Sequence, residues 1–345
     1  MLAGRLNMET REFAVREVPV PEPGPGQVLI RVRAAGVCLS DVHLIDGSLT
    51  PRFLRVPEVT LGHEVAGEIE ALGADVPDPW RPGDRVVLQA GERCGRCPHC
   101  QRFQPPCLMT QTRGVDYDGG WAEFALASHH TLVSIPDSLP FDQAAIVPDA
   151  VSTPWGAVTG TGRAEPGRPA GVWGVGGLGA HAVQLLRLLG VAPIVAVDPL
   201  PAGRERALEF GADVAIDSGA PDVRDQIMAV TGGTGLDVAY DFAGVAAVRT
   251  QAAPCLGLGG RLVLVGLTPE PLALDSLGLT VRNQQILGNY GSTPGAVEQL
   301  VALTRYGRLD LSRSISGTLP LAEAADAVAR LTKKDGDPIR LILEP

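Results

Sequence analysis

The pattern of apolar residues differs between the first and the second part of the chain. Up to about residue 147, short alternating or β-branched apolar runs are separated by proline and glycine, which is typical of an antiparallel or barrel-like domain. The strands predicted there cover residues 27–34, 64–71, 85–89 and 122–127. From about Gly171 onward, apolar runs alternate with helix-length stretches, with strand candidates at 172–175, 194–198, 214–216, 236–241, 261–265 and 284–290. Because parallel neighbours need such crossover connections, this second pattern predicts an α/β fold with a doubly wound parallel sheet of six strands.

The end of the chain carries more elements than this sheet needs. Helical patterns cover residues 295–306 and 321–331, and a closing apolar run covers 339–343. We expect these segments to return to the first domain. The predicted organisation is a first domain over residues 1–150, completed by 292–345, and a second domain over 151–291. A chain of 345 residues is long enough for two packed cores, since single cores stop growing near ~250 residues.

Charge and composition narrow the possible partners. The 29 basic and 39 acidic residues give a net charge of -10, which disfavours nucleic acid and anionic membrane surfaces as partners. The longest apolar stretches fall short of the ~20 residues of a membrane span. Residues 1–15 lack the apolar core of a secretory signal. We therefore expect a cytoplasmic enzyme.

Four of the six cysteines fall within residues 94–107, in a proline-rich segment. In a chain without an export signal, thiols this closely spaced predict a metal site before disulfides. Their spacing, Cys-x2-Cys-x2-Cys-x6-Cys, is able to close a tetrahedral thiolate shell around zinc, and a closed shell of this kind is structural. The candidate ligands are Cys94, Cys97, Cys100 and Cys107.

Residues 174–179 read Gly-Val-Gly-Gly-Leu-Gly and lie between a predicted strand and an amphipathic helix. Glycines at these places permit a tight turn and let the backbone approach a pyrophosphate, which the free N–H groups of the helix start would bind. Asp198 ends the next strand, where its carboxylate can accept hydrogen bonds from the adenosine ribose and repel a ribose phosphate. The motif predicts NAD rather than NADP, although Arg204 nearby leaves NADP open. The candidate contacts are Gly174, Gly176, Gly177, Leu178, Gly179 and Asp198.

A second set of potential metal ligands and their neighbours is spread along the chain. A thiolate, an imidazole and a carboxylate would suit a catalytic zinc, which keeps three protein ligands and one open position. Spacing alone does not assemble this set, because each ligand has another interpretation, as a buried cysteine, a core histidine or a helix-capping aspartate. Its members are Cys38, Ser40, Asp41, His43, His63, Glu64 and Asp149.

Four motifs in order, at residues 38–43, 62–68, 94–107 and 174–179, resemble those of the zinc-containing medium-chain dehydrogenase/reductase family, the alcohol dehydrogenases. The resemblance covers essentially the whole chain. It implies a GroES-like, β-rich catalytic domain followed by a Rossmann domain. It also implies that the catalytic zinc has the ligands Cys38, His63 and Asp149, with Glu64 beside the metal and Asp41 holding the His63 ring.

The same resemblance implies a reaction. A hydride would pass between NAD(H) and a small alcohol or its ketone or aldehyde, with zinc polarising the substrate oxygen. Ser40 would take the alcohol proton and pass it through the nicotinamide ribose to His43 at the surface. Further cofactor contacts are implied for Thr153, Phe242, Ala243, Val265, Leu267 and Arg340. The partners expected are a small-molecule substrate and further copies of the chain, in a homodimer or homotetramer.

Two departures from the family pattern leave alternatives open. Asp149 stands where many members have cysteine, so either Asp149 or Glu64 could complete the resting zinc shell. The gap between Cys100 and Cys107 is one residue shorter than usual in the family. The alternative functions are reduction of an activated carbon–carbon double bond and a non-catalytic NAD- and zinc-binding role. The presence of a serine and a histidine suited to a proton relay favours the alcohol reaction.

Overall fold

The computed structural model describes residues 1–54, 56–102 and 106–345. Two compact units divide the chain: Met1–Ser152 together with Ser292–Pro345, and Thr153–Gly291. Each unit has an apolar core of its own, which includes Ile30 in the first and Val195 in the second. None of the described helices combines the length and the apolar character that crossing a membrane requires.

The first unit begins with a β-rich stretch built around one long antiparallel strand, residues 27–37. Along this strand the exposed side chains of Arg31 and Arg33 alternate with buried apolar neighbours, as expected of a half-buried strand. The strands of the stretch are β1 Leu2–Asn7, β2 Phe13–Glu17, β3 Gln27–Val37, β4 Glu58–Thr60, β5 Val65–Leu72, β6 Arg85–Leu88, β7 Gly91–Glu92, β8 Gln111–Thr112, β9 Phe124–Ser128 and β10 Leu132–Ser134, and the helices are α1 Leu39–Asp46, α2 Pro98–Gln101 and α3 Phe141–Ala145. β3 pairs antiparallel with β5 and β9, and β5 with β6, which confirms the four predicted strands.

The second unit contains a parallel sheet with helical connections. Helix α4, Ser152–Trp155, begins at the last residue of the first unit, and the elements that follow are β11 Ala170–Trp173, α5 Gly179–Leu188, β12 Ile194–Val197, α6 Pro201–Glu209, β13 Val214–Ile216, α7 Val223–Val230, β14 Leu236–Asp241, α8 Ala246–Ala252, β15 Leu256–Leu264, α9 Ser276–Val281 and β16 Gln285–Gly288. The strand order is β13-β12-β11-β14-β15-β16 and every pair is parallel, which confirms the predicted doubly wound sheet. The order reverses at β11, where such sheets bind ligands at the carboxyl ends of their strands. The glycine loop 174–179 follows β11 directly.

The last part of the chain contributes two strands to the first sheet. Its elements are α10 Ala296–Arg305, β17 Ile315–Pro320, α11 Ala324–Lys333 and β18 Arg340–Glu344. β18 pairs antiparallel with β3, with Leu341 opposite Val37, and β17 pairs parallel with β18. This register brings Arg340 beside Cys38, because each of them is the residue next to that pair in sequence.

Candidate functional site

A buried carboxylate links two of the segments that carry the candidate zinc ligands. Cys38 lies between the end of β3 and the start of α1, and Asp41 follows in the first turn of that helix. Asp41 is fully buried; its Oδ2 atom accepts from the Cys38 backbone N–H at 3.0 Å, and its Oδ1 atom accepts from the Gly62 N–H at 3.3 Å. The Oδ1 atom also lies 3.7 Å from His63 Nδ1. Asp41 therefore holds the backbone beside both ligand positions and faces the imidazole ring, the arrangement expected for a carboxylate that orients a ligating histidine.

The structure brings Cys38, His63 and Asp149 together. Their ligand atoms all lie within 4.8 Å of one another. Asp149 Oδ2 lies 3.4 Å from Cys38 Sγ and 3.4 Å from His63 Nε2. Asp149 itself lies in a π-helical turn, Val147–Val151, an irregularity that is frequent at functional sites. A soft thiolate, an imidazole and a carboxylate oxygen converging in this way fit the coordination of a zinc ion.

Two further charged residues, Glu64 and Arg340, complete the cluster. Glu64 is fully buried; its Oε1 atom accepts from Arg340 Nε at 3.1 Å and from the Ala150 N–H at 3.0 Å. Its Oε2 atom is buried without a hydrogen-bond partner among the described residues. Arg340 Nη2 lies 3.5 Å from Asp149 Oδ2 and 3.7 Å from Cys38 Sγ. The sequence pattern did not reveal that Arg340 lies in this cluster; the pairing register of β18 with β3 places it there.

The charges in the cluster are strongly coupled. Burial raises the pKa of Glu64 to about 7, against the opposing charge of Arg340. For His63, burial opposes the imidazolium, but the charge of Asp41 and the hydrogen bond with Asp149 raise the pKa well above its ordinary value. The pKa of Arg340 is likewise raised, by the charges of Glu64 and its neighbours, although burial opposes this. The carboxylates of Asp41 and Asp149 thus favour a positive charge at the His63 ring, and a divalent cation bound there would replace the ring proton, since a ligating imidazole is neutral.

Ser40 and His43 follow Cys38 on α1 at increasing distance from the cluster. The Ser40 hydroxyl lies 3.6 Å from Cys38 Sγ. One helical turn later, the side chain of His43 is 38% exposed, and its Nδ1 atom lies 3.0 Å from the Ser48 hydroxyl. The structure therefore places a hydroxyl beside the candidate metal position and an imidazole at the surface of the same helix.

The four cysteines of the lobe 94–107 form a separate cluster. Their sulfur atoms lie within 4.8 Å of one another, with 3.6 Å between Cys107 and Cys94 and 3.9 Å between Cys97 and Cys107. Backbone N–H groups of Cys94, Cys97, Cys100 and Met109 point at these sulfur atoms at 3.4 Å. Although burial opposes it, these N–H groups lower the pKa of Cys107 to about 6, whereas burial raises the pKa of Cys100 to about 11. A thiolate cradle of this kind fits a structural zinc, and the shortened gap before Cys107 does not prevent the fourth sulfur from joining it.

The glycine loop adopts the geometry that its spacing predicts. Gly174 has a φ of +83°, and a Cβ there would lie 2.9 Å from the Ala243 backbone nitrogen. A Cβ at Gly179 would collide with the Gly174 carbonyl, so this glycine allows α5 to start close against the strand. At Gly176 a Cβ would meet nothing within 4 Å, so this part of the loop leaves room for a ligand, and the half-buried residues Gly177 and Leu178 follow it directly before α5. The loop thus fits a dinucleotide pyrophosphate.

Asp198 follows β12 directly and lies beside the glycine loop. Its Oδ2 atom accepts from the Val175 N–H at 2.7 Å and its Oδ1 atom from the Leu200 N–H at 2.9 Å, which fixes the carboxylate against the glycine loop. The guanidinium of Arg204 donates to the backbone carbonyls of Asp198 and Pro199, at 3.0 and 2.9 Å. The same Nη1 atom of Arg204 also lies 3.6 Å from Asp217 Oδ2.

The remaining predicted cofactor contacts lie in the same unit, apart from Arg340. Thr153 is buried; Phe242 and Ala243 follow β14; Val265 is buried directly after β15, and Leu267 is 50% exposed. Sequence reasoning missed a buried ion pair between these turns, in which Arg249 Nε donates to Asp241 Oδ2 at 2.7 Å. The signal available was an arginine among small and apolar residues on α8, eight positions after an aspartate that ends an apolar strand.

Comparison with known proteins places the chain in a family. Residues 24–137 match the family model described as alcohol dehydrogenase GroES-like domain, and residues 177–305 match the one described as zinc-binding dehydrogenase. An NDMA-dependent alcohol dehydrogenase of Amycolatopsis methanolica is 33% identical, over 99% of this chain and 98% of that protein.

Two solved structures share the fold over the whole chain. A zinc-binding dehydrogenase of Sinorhizobium meliloti, solved with bound NADP, is 30% identical with a TM-score of 0.90, over 100% of this chain and 99% of that one. A structure of an NAD-dependent alcohol dehydrogenase is 27% identical with a TM-score of 0.91, over 100% of both chains. The chain belongs to the zinc-containing medium-chain dehydrogenase/reductase family, a family of oxidoreductases.

Proposed function

We propose that this protein is a zinc-dependent alcohol dehydrogenase that transfers a hydride between NAD(H) and a small alcohol or its ketone or aldehyde. The observation that carries the proposal is the convergence of Cys38, His63 and Asp149 within 4.8 Å, with the Ser40 hydroxyl 3.6 Å from the thiol. A metal centre alone would need no hydroxyl at this place, and a reductase of carbon–carbon double bonds would need no proton relay from a substrate oxygen.

Cys38, His63 and Asp149 would hold the catalytic metal, and the four cysteines of the lobe 94–107 would hold a structural zinc. When bound, zinc supplies a Lewis acid for the substrate oxygen and the nicotinamide supplies the hydride acceptor or donor. Asp41 keeps the His63 ring in place, and Arg340 balances the charge of Glu64 and Asp149. With Glu64 held by Arg340 and by the Ala150 N–H, Asp149 is the carboxylate proposed as resting ligand.

The chain's own side chains would also move the proton. Ser40 would accept the proton that the alcohol hydroxyl loses and release its own hydroxyl proton towards His43, because it is the hydroxyl beside the metal position. His43 is exposed on the same helix and passes the proton to solvent, with Ser48 3.0 Å from its ring. In the reverse direction the same groups deliver a proton to the reduced carbonyl oxygen.

NAD is the proposed cofactor in preference to NADP. The pyrophosphate would lie on the glycine loop and the N-terminus of α5, with Asp198 accepting hydrogen bonds from the adenosine ribose. Asp198 is anchored by two backbone N–H groups, so its carboxylate cannot easily move away from an added phosphate. Arg204, the nearby cation, donates to two backbone carbonyls. The NADP-bound relative makes a comparison of both cofactors part of the test.

The test is a turnover assay with zinc-loaded protein, NAD+ or NADP+, and a panel of primary, secondary and polyhydric alcohols, read as absorbance of the reduced nicotinamide. We expect turnover with at least one alcohol class and with NAD+ preferred. Cys38→Ala is expected to abolish turnover because it removes a metal ligand, whereas Cys255→Ala, a buried cysteine outside both clusters, serves as the matched control and is expected to retain it.

Three outcomes would contradict the proposal. Undiminished turnover in Cys38→Ala would remove the catalytic metal from the reaction. Oxidation of NADH by activated alkenes, but not by ketones or aldehydes, would assign the scaffold to double-bond reduction. NADH binding without turnover of any substrate would indicate a binding protein.

A further inference from the structure

A buried ion pair connects two turns that follow neighbouring strands of the parallel sheet. Asp241 is the last residue of β14 and is fully buried, and Arg249 on α8 is 6% exposed. Arg249 Nε donates to Asp241 Oδ2 at 2.7 Å, and Arg249 Nη2 donates to the Gly266 carbonyl at 2.9 Å. The second carboxylate oxygen, Asp241 Oδ1, accepts from the Gly244 N–H at 2.8 Å. One guanidinium thus links the turn after β14 to the turn after β15.

The two turns pack backbone against backbone. Gly244 has a φ of +68°, and a Cβ there would lie 2.7 Å from the Leu267 carbonyl oxygen. The backbone nitrogens of Val265 and Gly266 both donate to the Asp241 carbonyl, at 2.9 and 2.8 Å. Since glycines supply no side-chain packing, the conformation of these turns depends on the hydrogen bonds that Asp241 and Arg249 make.

We propose that Arg249 is a positioning residue for the dinucleotide. This inference rests on the proposed function, because the two turns it links carry Phe242 and Ala243 on one side and Val265 and Leu267 on the other. Ala243 also lies against Gly174 of the glycine loop, so the linked turns border the pyrophosphate position as well. Arg249 acts through these turns and not by contact with the cofactor, since its Nε and Nη2 atoms donate to Asp241 and Gly266 and the residue is 6% exposed.

The physical basis is preorganisation. Removing the guanidinium would leave the Asp241 carboxylate buried without a counter-charge, a state that favours entry of water and rearrangement of the turns. Cofactor binding would then have to select the fraction of molecules in which both turns are in place. If that fraction falls to about a tenth, the apparent Kd for the cofactor rises about ten-fold.

A purely structural role for Arg249 predicts something different, and the same two strands provide the matched control. Arg261 on β15 pairs with Asp237 on β14, with 3.3 Å between Nη2 and Oδ2. Asp237 lies near the start of β14 and Arg261 lies within β15, so this pair is separated along both strands from Asp241 and Gly266. Arg261→Met therefore breaks an arginine–aspartate pair between the same strands without touching the turns.

The experiment measures the Kd for NADH by calorimetry on the full-length, zinc-loaded wild type and on Arg249→Met, Arg249→Lys, Asp241→Asn and Arg261→Met, at a temperature at which circular dichroism shows each to be folded. We expect Arg249→Met and Asp241→Asn to raise the Kd for NADH about ten-fold. Arg249→Lys should recover part of the loss, because it keeps the charge but loses the forked geometry. Arg261→Met should lower the melting temperature while changing the Kd less than about two-fold. In steady state, the KM for the cofactor should rise more than kcat falls.

The outcomes separate this inference from the proposed function. Failure of the wild type to bind NADH would overturn the proposed function and the inference with it. Tight NADH binding by the wild type together with an unchanged Kd in Arg249→Lys and Asp241→Asn would overturn the inference alone. An equal loss of affinity in Arg261→Met would also overturn it, by showing that any weakened strand pair has the same effect. If Arg249→Met does not fold, the Kd values for NADH of Arg249→Lys and Asp241→Asn test the inference.

Discussion

At the scale of single residues, Ser40 is the group on which the proposed proton transfer depends. Its hydroxyl lies 3.6 Å from Cys38 Sγ, beside the position proposed for the metal. Ser40→Ala is expected to lower kcat by ~10²-fold or more, because it removes the acceptor of the alcohol proton. The Kd for NADH should stay nearly the same, since the variant does not touch the glycine loop. Stopped-flow turnover and calorimetric binding measure the two quantities separately.

Ser134→Ala is the matched control for this prediction, because Ser134 is an exposed serine on β10 of the same unit. It is expected to leave both kcat and the Kd unchanged. A Ser40→Ala enzyme that turns over at the wild-type rate would show that the proton leaves by another path, and the relay to His43 would have to be abandoned.

Single residues also show which parts of the site could be predicted from the sequence and which could not. Gly174 and Gly179 could be predicted, because a local backbone requirement, a positive φ or a close approach, selects glycine at a fixed spacing. Asp149 could be proposed only from the family resemblance, since nothing local connects it with a histidine 86 positions earlier. Arg340 was assigned to the cofactor by the same resemblance, yet its guanidinium contacts Glu64, a contact fixed by strand register far along the chain. The spacing of residues along the sequence does not reveal which distant strands pair.

At the scale of elements, strands with an apolar pattern of their own were predicted, whereas strands that depend on pairing with a neighbour were missed. The six strands of the parallel sheet were predicted because buried parallel strands read as continuous apolar runs between helices. In the first unit the long strands β3 and β5 were predicted, but β2 and β4 were not. β2 is largely exposed and β4 has three residues, and both form by pairing with β1 rather than through a pattern of their own. Such short or exposed strands depend on tertiary contacts.

The lobe 94–107 is the element on which the proposed structural zinc would have the largest effect. Among its described residues, 94–102 and 106–107, the regular structure is the four-residue helix α2, and its cluster of buried side chains consists of cysteines. Native mass spectrometry of the wild type is expected to show two zinc ions per chain. Cys100→Ser should hold one zinc and lose thermal stability, because zinc binding and folding of such lobes are coupled.

His63→Ala is the complementary variant for this prediction. It should also hold one zinc, but its lobe should stay folded and resistant to proteolysis, because the remaining metal lies in the cysteine cluster. Two zinc ions retained in Cys100→Ser would contradict a four-cysteine site. If the wild type holds one zinc, and that zinc is lost in His63→Ala but kept in Cys100→Ser, the lobe folds without metal.

At the scale of the whole molecule, the residues proposed for the metals and those proposed for the dinucleotide belong mainly to different folded units. Both metal clusters lie within Met1–Ser152, with Arg340 contributed by the returning segment, whereas the glycine loop and Asp198 lie within Thr153–Gly291. Each unit has its own core, so each can respond to its own ligand. Binding stabilises the state that binds, by about 2.7 kcal/mol at a ligand concentration 100 times the Kd. The stabilisation should therefore be localised in the chain.

Hydrogen exchange with and without ligands tests this localisation. NADH in excess is expected to slow amide exchange in residues 174–179, around Asp198 and in the turns at 242–244 and 265–267, because bound cofactor suppresses local opening of these segments. A zinc chelator is expected to speed exchange in residues 38–43, 62–65, 94–102 and 147–150, while leaving β11 to β15 protected. Arg249→Lys should weaken the NADH effect in both turns at once, because one guanidinium holds them. Protection by NADH that spread evenly over the chain, or chelation that exposed the parallel sheet first, would contradict the assignment of separate ligands to separate units.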